Sequence, residues 1–237
     1  MANIPTHIAF IPDGNRRWAK KHGLELIRGH EKGIDKMGQV LKWCQDKKIK
    51  IVSFWAFSTE NFNRDKDEVL KLFNAFKYRL KKVLSEAKFE KTKTKVRFIG
   101  LKKAFPKDIQ KGMKKIEQKT KNYKDYQLNF FIGYGGKIEI LQAIKSILKK
   151  YSKKKLTKKD IEKIDEKEFE KYLWSGGLPD PDLIIRTSGE KRLSGFMPFK
   201  SAYSELYFCK KLWPDFSYED FEKALNDFKK RKRRMGR

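Results

Sequence analysis

The sequence has little cysteine and little histidine. Cys44 and Cys209 are the only cysteines among 237 residues, and three histidines are present. Two thiols are too few for a disulfide framework or for a zinc site held by thiolates. The histidines, at positions 7, 22 and 30, are too irregularly spaced for a zinc site of their own. The sequence therefore argues against a disulfide-rich or zinc-stabilised protein.

Long apolar runs are also missing. None approaches the roughly 18 residues that a membrane-spanning helix needs. The N-terminal segment MANIPTHIAFIPDGN has neither the basic nor the long apolar part of a secretory signal, so a cytoplasmic protein is expected. With 39% hydrophobic and 14% aromatic residues, the chain can form a sizeable core. No linker or internal repeat divides it, which predicts one domain over residues 1–237.

Several nucleotide and hydrolase motifs are absent. There is no GxxxxGK[ST] phosphate loop and no GxGxxG dinucleotide fingerprint. A GxSxG nucleophile elbow is missing too. These absences disfavour a P-loop nucleotide-binding protein, a dinucleotide-dependent enzyme and an α/β-hydrolase.

Acidic residues are outnumbered. The chain has 58 Lys and Arg against 30 Asp and Glu, a formal charge of +28. Such a charge suggests nucleic acid, an anionic membrane or phosphorylated small molecules as partners. The basic tail KKRKRR (229–234) fits a nucleic-acid patch, but it is more typical of a solvated helix end.

Arginine is the informative basic residue, because only 12 of the 58 are Arg. Outside the tail, most arginines fall in three short segments: Arg16, Arg17, Arg28, Arg64, Arg186 and Arg192. A guanidinium binds phosphate through two parallel hydrogen bonds, which Lys cannot reproduce. Their placement narrows the expected anionic partner to phosphate groups.

The hydrophobic pattern predicts an α/β fold with a mostly parallel six-stranded sheet flanked by helices. Strands are predicted at 7–11, 51–57, 95–100, 126–136, within 178–190 and at 205–208. Helices are predicted at 30–48, 66–89, 107–121, 137–150 and 217–235, with a lysine-rich connector at 152–159. The last helix is expected to begin at Ser217, with Asp220 completing an acidic capping box.

Polar clusters follow three of the predicted strands, at 12–18, 58–64 and 186–194. In parallel sheets, ligands bind at the carboxyl ends of strands. The clusters supply carboxylates, amides, hydroxyls and arginines, which suit a site for magnesium and a diphosphate. Asp13 is the best candidate for the magnesium ligand, and an N-cap of the following helix is its alternative role.

Six segments carry a resemblance to a known family: HIAFIPDGNRRWAKKHG, RGHEKG, FWAFSTENFNR, NFFIGYGG, PDLIIRTSGEKRLSGF and SAYSELYFCKKLWPDF. They are spread over nearly the whole chain, and their combination resembles the cis-prenyltransferases. The resemblance implies an apolar tunnel, with helix 66–89 as a wall. Its alternative role is ordinary core packing.

The resemblance also implies an activity. Such an enzyme uses Mg²⁺ to condense isopentenyl diphosphate in cis, repeatedly, onto an allylic diphosphate such as farnesyl diphosphate. The implied product is a long polyprenyl diphosphate, undecaprenyl diphosphate, a precursor of the lipid carrier for cell-wall polysaccharides. A homodimer is implied and nucleic acid is not a partner. The lipid product and the lysine-rich helices are compatible with peripheral contact with a membrane surface.

Site roles follow from the same resemblance. Asp13 would hold Mg²⁺ and assist departure of the allylic diphosphate, Glu205 would be a second metal ligand across a dimer contact, and Asn61 would lie near the reacting carbons, where the family assigns a deprotonation. The implied substrate-binding residues are Gly14, Asn15, Arg16, Arg17, Trp18, His30, Ser58, Thr59, Glu60, Phe62, Arg64, Arg186, Arg192, Leu193 and Ser194. Those at 14–17 would bind the allylic diphosphate; Arg186, Arg192 and Ser194 would bind isopentenyl diphosphate. Arg234 and Gly236 match a C-terminal motif that reaches toward it.

The chain departs from the family pattern at four positions. Arg16 stands where a small residue is common, Phe62 replaces a Trp, and Lys191 stands where some members have a His near the metal. Leu26 occupies a position where many members have Arg, and either Arg28 or Arg16 is a candidate to replace it. Two other classes stay open: a non-catalytic partner subunit, and a nucleic-acid-binding protein, whose affinity would depend steeply on salt.

Overall fold

Six strands form one parallel sheet in the computed structural model, which describes residues 4–85, 88–152 and 157–232. The strand order is β3-β4-β2-β1-β5-β6, and every neighbouring pair is parallel. The strands are β1 His7–Ile11, β2 Ile51–Ser58, β3 Thr94–Ile99, β4 Tyr126–Tyr134, β5 Leu183–Arg186 and β6 Glu205–Phe208. The α/β prediction is confirmed, and the sheet is wholly rather than mostly parallel.

Helices connect the strands and cover the sheet. Within the described residues they are α1 Asn15–Lys21, α2 Leu26–Asp46, α3 Lys66–Ser85, α4 Lys88–Lys91, α5 Lys107–Thr120, α6 Gly136–Tyr151, α7 Lys158–Glu162, α8 Glu166–Glu170 and α9 Tyr218–Lys230. Short 3-10 helices lie at Thr59–Asn63, Lys102–Ala104 and Trp213–Asp215. No helix in the described ranges is long and apolar enough to span a bilayer.

Some predicted boundaries differ from the structure. The helix expected at 66–89 is described in two parts, α3 and α4, and residues 86–87 between them lie outside the described residues. The strand expected to reach position 136 ends at Tyr134, and α6 begins two residues later. The connector 152–159 includes the start of α7, while 153–156 lie outside the described residues. The last helix does have its predicted capping box, but it ends at Lys230.

Side chains of β1 point alternately to the two faces of the sheet. Ile8 and Phe10 belong to a large apolar cluster that includes residues of α2, α5 and α9, and Phe10 stacks on Phe54 at 5.2 Å. Ala9 and Ile11 belong to a smaller cluster on the other side. All five residues of β1 are buried. This central strand therefore fixes the loop that follows it, residues 12–14.

Helix α1 packs on α2 at unusually close range. A Cβ on Gly29 would lie 2.1 Å from the backbone oxygen of Asn15, and one on Gly33 would lie 2.3 Å from the Asn15 side-chain oxygen. The Trp213 indole donates a hydrogen bond to the Gly33 oxygen at 2.8 Å. Only glycine permits this approach. The two glycines of the RGHEKG segment thus set the position of α1 and of the loop before it.

We expect Gly29→Ala to lower the free energy of unfolding by about 1–3 kcal/mol, because α1 must move away from α2. Chemical denaturation measures the change. Gly38→Ala is the matched control, since a Cβ at this exposed position on the same helix meets nothing within 4 Å. The control should gain about 0.5–1 kcal/mol from the higher helix propensity of Ala. Equal stabilisation by both substitutions would contradict the close packing.

Candidate active site

The backbone of Asp13 is held in place from two sides. The buried Thr187 hydroxyl accepts a hydrogen bond from the Asp13 amide at 3.0 Å and lies 2.7 Å from the Asp13 carbonyl oxygen, to which it donates. The Trp213 amide donates to the same carbonyl at 3.0 Å. Thr187 directly follows β5, the neighbour of β1. The loop after β1 is therefore fixed to the carboxyl end of the next strand.

The Asp13 carboxylate lies between two guanidinium groups. Arg186 donates to Oδ2 at 2.9 Å and Arg17 donates to Oδ1 at 3.3 Å. Burial alone would raise the pKa of Asp13, but the hydrogen bond and charge of Arg186, together with the charge of Arg17, hold this pKa below its usual value. Asp13 is therefore a carboxylate at neutral pH.

The alternative role of Asp13 as a helix cap is wrong. Gly14, with φ of 111°, occupies the N-cap position of α1, and no side chain caps this helix. A Cβ at Gly14 would lie 2.9 Å from Leu212 Cδ2 in addition to straining the backbone. Because glycine makes the turn, the neighbouring carboxylate is available for another purpose.

A cleft of about 400 Å³ opens beside Asp13. It is lined by Pro12, Asp13, Gly14, Asn15, Arg16, Arg17, Lys20, His30 and Arg64. Four of these residues are cationic and one is a carboxylate. The backbone amides that begin α1 lie in the same segment, and helix N-termini favour anions. This set of groups suits a phosphate-bearing ligand.

Two carboxylates outside the predicted set each join two arginines. Glu190 contacts Arg17 at 3.3 Å and Arg192 at 2.6 Å. Glu68 contacts Arg16 at 3.4 Å and Arg64 at 3.1 Å. The four-residue spacing of Arg64 and Glu68 at the start of a predicted helix was the one local signal that could have identified Glu68.

His30 lies beside Glu68 and Arg64. Its Nε2 is 3.5 Å from Arg64 Nη1 and 3.7 Å from Glu68 Oε1. Burial, with added repulsion from Arg64 and Arg16, lowers the pKa of His30 to about 4. The imidazole is therefore neutral at pH 7, and negative charge that enters the cleft would raise its pKa.

The segment after β5 is arranged around Arg186. This buried side chain donates to the Ser194 hydroxyl at 2.8 Å and to the Arg192 carbonyl as well as to Asp13. Arg192 itself is exposed apart from its pair with Glu190, and Leu193 packs against the smaller apolar cluster. The structure thus brings Arg186 and Ser194 to the edge of the Asp13 site.

The 58–64 segment lies at the same edge but has structural contacts of its own. The Asn61 side-chain oxygen accepts a hydrogen bond from the Ser58 amide at 3.0 Å. Thr59 Oγ1 would lie 2.5 Å from a Cβ on Gly135, and Glu60 is exposed. Phe62 joins Phe57 in a cluster of rings, with centroids 4.9 Å apart. Only Arg64 of this segment lines the cleft.

Three predicted residues lie elsewhere. The Trp18 indole donates to Asp215 at 2.7 Å, so it ties α1 to the segment before α9. The Arg28 guanidinium donates to its neighbour Glu31 at the surface. Arg16, which lines the cleft, is therefore the better placed of the two candidates to replace an arginine at position 26.

Glu205 is the third, and the structure does not bring it to Asp13. It is level with Leu183 at the start of β5, whereas Arg186 is level with Phe208. Three residues of strand correspond to about 10 Å. Arg231 donates to its carboxylate at 2.6 Å. Within the described part of the chain, no group of three side chains of the metal-binding types assembles.

The described part of the tail, residues 231–232, does not line the cleft. Arg231 pairs with Glu205 and Asp227 near β6. The predicted contacts of Arg234 and Gly236 fall outside the described residues. Lys191, predicted near the metal, is exposed.

Comparison with known proteins gives a consistent answer. A sequence profile described as "Putative undecaprenyl diphosphate synthase" matches residues 11–236. An isoprenyl transferase of Thermotoga maritima is 44% identical over 98% of this chain and 97% of its own length. A synthase of Thermoplasma acidophilum, named as a geranylgeranyl-diphosphate-specific tritrans,polycis-undecaprenyl-diphosphate synthase, is 45% identical over 98% of this chain and 89% of its own.

A solved structure shares the fold. Lavandulyl diphosphate synthase from Lavandula x intermedia, in complex with dimethylallyl diphosphate, superposes with a TM-score of 0.91 at 33% identity and covers 99% of both chains. The matches extend over the β1 loop, the arginine clusters and the whole parallel sheet. On these grounds the chain belongs to the undecaprenyl diphosphate synthase family of cis-prenyltransferases and is a transferase of prenyl groups.

Proposed function

We propose that this protein condenses isopentenyl diphosphate in cis onto an allylic diphosphate, in several cycles, to make a long polyprenyl diphosphate. The observation that carries the proposal is the Asp13 carboxylate, held between Arg17 and Arg186 at the mouth of a cationic cleft. A diphosphate that leaves an allylic carbon develops concentrated negative charge. Cationic groups already positioned where that charge develops stabilise its departure.

The allylic diphosphate occupies the cleft beside α1. Arg16, Arg17 and Arg64 bind its oxygens, and the first amides of α1 add donors. His30 donates a ring N–H to a diphosphate oxygen, and its pKa rises as the negative charge arrives. Isopentenyl diphosphate is bound by Arg186, Arg192 and Ser194. The position of Asn61 near the reacting carbons remains a prediction. Because Arg186 contacts both Asp13 and Ser194, it joins the two substrate sites.

Magnesium fits this site through Asp13. The carboxylate is ionised and partly accessible, with its side chain 30% exposed. Mg²⁺ commonly uses one or two protein carboxylates and completes its shell with phosphate oxygens and water. When bound, the ion neutralises charge on the departing diphosphate. Glu205 is proposed as a second ligand only across a contact between two copies of the chain, because it lies far from Asp13 within one chain.

The prenyl chain lies along α3. Leu72, Phe73 and Phe76 of this helix pack on the large apolar cluster next to Phe62 and Phe105. These side chains keep water from the allylic cation and bury the growing chain. The same residues pack the core, so the tunnel and the structural role of this helix are not alternatives.

The names of the relatives do not agree on one allylic primer, so two primers are proposed. The Thermoplasma acidophilum synthase is named for geranylgeranyl diphosphate, whereas the Thermotoga maritima relative is named only as an isoprenyl transferase. We propose farnesyl or geranylgeranyl diphosphate as primer and undecaprenyl diphosphate as product. That product would serve as a lipid-carrier precursor for cell-wall polysaccharide synthesis. The proposed location is the cytoplasm, with peripheral contact of lysine-rich surfaces with anionic lipid.

A homodimer is part of the proposal. Helix α6 exposes Leu141, Ile144 and Leu148, at 54%, 42% and 60%. Their spacing of three and four residues places them on one helix face. A second copy covering this face would remove an apolar stripe from water. Nucleic acid is not proposed as a partner, because the specific arginines converge on a cleft rather than on an extended surface.

Activity tests the proposal directly. We expect purified protein with Mg²⁺, isopentenyl diphosphate and either primer to form polyprenyl diphosphates, and Asp13→Asn to reduce turnover at least about a thousandfold while the protein stays folded. Product chromatography and circular dichroism provide the readouts. Unchanged magnesium-dependent turnover in the variant would overturn the role of Asp13. Absence of product with both primers would overturn the function.

Product length should depend on the α3 wall. Leu72→Trp places a larger side chain beside Phe73 and Phe76, so we expect shorter products by chromatography. Leu70→Trp is the control, because Leu70 lies on the opposite side of the helix and is 58% exposed. Identical product lengths for the Leu72 variant and the unaltered protein would rule out this helix as a limit.

Diphosphate binding should raise the pKa of His30. We expect NMR of the Cε1 proton to give a pKa near 4 in the free protein, as burial and Arg64 dictate, and a higher value with inorganic pyrophosphate. The sign follows because added negative charge stabilises the imidazolium. His7 is the control: its pKa is also lowered to about 4 by burial, and it lies at the opposite end of β1. An unmoved His30 pKa at saturating pyrophosphate would place the diphosphate elsewhere.

A further inference from the structure

Glu68 is a largely buried carboxylate at the wall of the cleft. Its side chain is 11% exposed and lies in the first turn of α3. Oε1 lies 3.1 Å from Arg64 and Oε2 lies 3.4 Å from Arg16. Both oxygens are therefore used, each by a different guanidinium of the cleft.

The backbone at Glu68 is fixed independently of these pairs. The Asp65 carboxylate accepts hydrogen bonds from the Asp67 amide at 2.9 Å and the Glu68 amide at 3.2 Å. Asp65 thus satisfies free amides at the start of α3, as a capping residue does. The Glu68 side chain consequently extends from a rigid base toward α1.

The two guanidinium groups around Glu68 repel one another. Arg16 and Arg64 come from separate segments and converge on this one carboxylate, and the neutral His30 ring lies beside it. Arg16 has a side chain that is 48% exposed, so water offers it an alternative position. Removing the carboxylate leaves two guanidinium groups close together without compensation, and the more exposed one then turns into solvent.

We propose that Glu68 is a positioning residue that directs Arg16 and Arg64 into the cleft for the diphosphate of the substrate. The assignment rests on the proposed function for the identity of that substrate. Arg16, one of the two arginines that Glu68 contacts, lines the cleft together with Arg64. Glu68 touches no reacting atom in this arrangement. It acts through the two arginines.

Glu68→Gln removes the charge and keeps the shape, and Asp67→Asn is the matched control. Asp67 is an exposed acid in the same helical turn. We expect the Glu68 variant to bind inorganic pyrophosphate about tenfold to a hundredfold more weakly in calorimetry, the range expected for disturbing hydrogen bonds to charged groups. The control should bind like the unaltered protein. Equal or tighter binding by the Glu68 variant would overturn the proposal.

A double-mutant cycle with Arg16→Gln separates positioning from a loss of packing. If Glu68 acts through Arg16, the loss in the double variant is smaller than the product of the two single losses. Strictly multiplicative losses would overturn transmission through Arg16. Thermal unfolding shows whether each variant is folded. Glu68→Asp keeps the charge and should therefore bind pyrophosphate more tightly than Glu68→Gln. This variant also provides a test if Glu68→Gln is unstable. No recovery in a folded Asp variant would contradict a role of the charge.

Turnover supplies the readout that links this assignment to the reaction. The Glu68 variant should raise KM for the allylic diphosphate more than it lowers kcat, since it disturbs binding of the diphosphate. A fall confined to kcat would overturn the positioning role. Pyrophosphate affinity is measured without turnover. If pyrophosphate affinity depends on Glu68 but the unaltered protein forms no polyprenyl product, the proposed function fails and the positioning role of Glu68 stands.

Discussion

The pair between Asp13 and Arg186 is the contact on which the rest of the site depends. It joins the carboxyl end of β1 to that of β5, and Thr187 fixes the backbone on both sides of it. Arg186 is buried, so its charge needs a partner at short range. Asp13 supplies that partner and stays ionised as a result. One ion pair thereby keeps a carboxylate charged and places it where two strands end.

Charge in this protein is divided between two kinds of residue. Lysine makes up most of the excess of 28 positive charges and lies largely on the surface, where exposed ion pairs contribute little stability. Three arginines, Arg16, Arg17 and Arg64, line the cleft, and Glu68 and Glu190 pair with them. Four cations therefore line one cleft at a tolerable electrostatic cost. The family relationship agrees with a site made for diphosphates, since the relatives named above are diphosphate synthases and transferases.

Much of the fold could be predicted, because buried parallel strands form short apolar runs that end in polar turns. The β1 run HIAFI and the loop after it were located from this pattern alone. Local sequence patterns did not predict the features of the site that depend on tertiary contacts. Glu68 belongs to a helix that periodicity detects, but its importance depends on α1 meeting α3. Asp13 has a good capping side chain, yet Gly14 takes the cap because the turn needs a positive φ.

The phenylalanine cluster beside α3 has a thermodynamic consequence for a growing lipid. Phe57, Phe62, Phe73 and Phe105 contact one another, with ring centroids 4.9–6.4 Å apart. If the proposed prenyl chain extends between α3 and the sheet, these rings have to separate. Each separated ring pair costs about 0.5–1.5 kcal/mol, whereas a five-carbon unit that leaves water gains about 4 kcal/mol at roughly 0.8 kcal/mol per carbon. Under the proposed function, burial of one unit therefore outweighs the separation of one ring pair. Chain length would then depend on how many ring pairs each added unit separates, as well as on the available space.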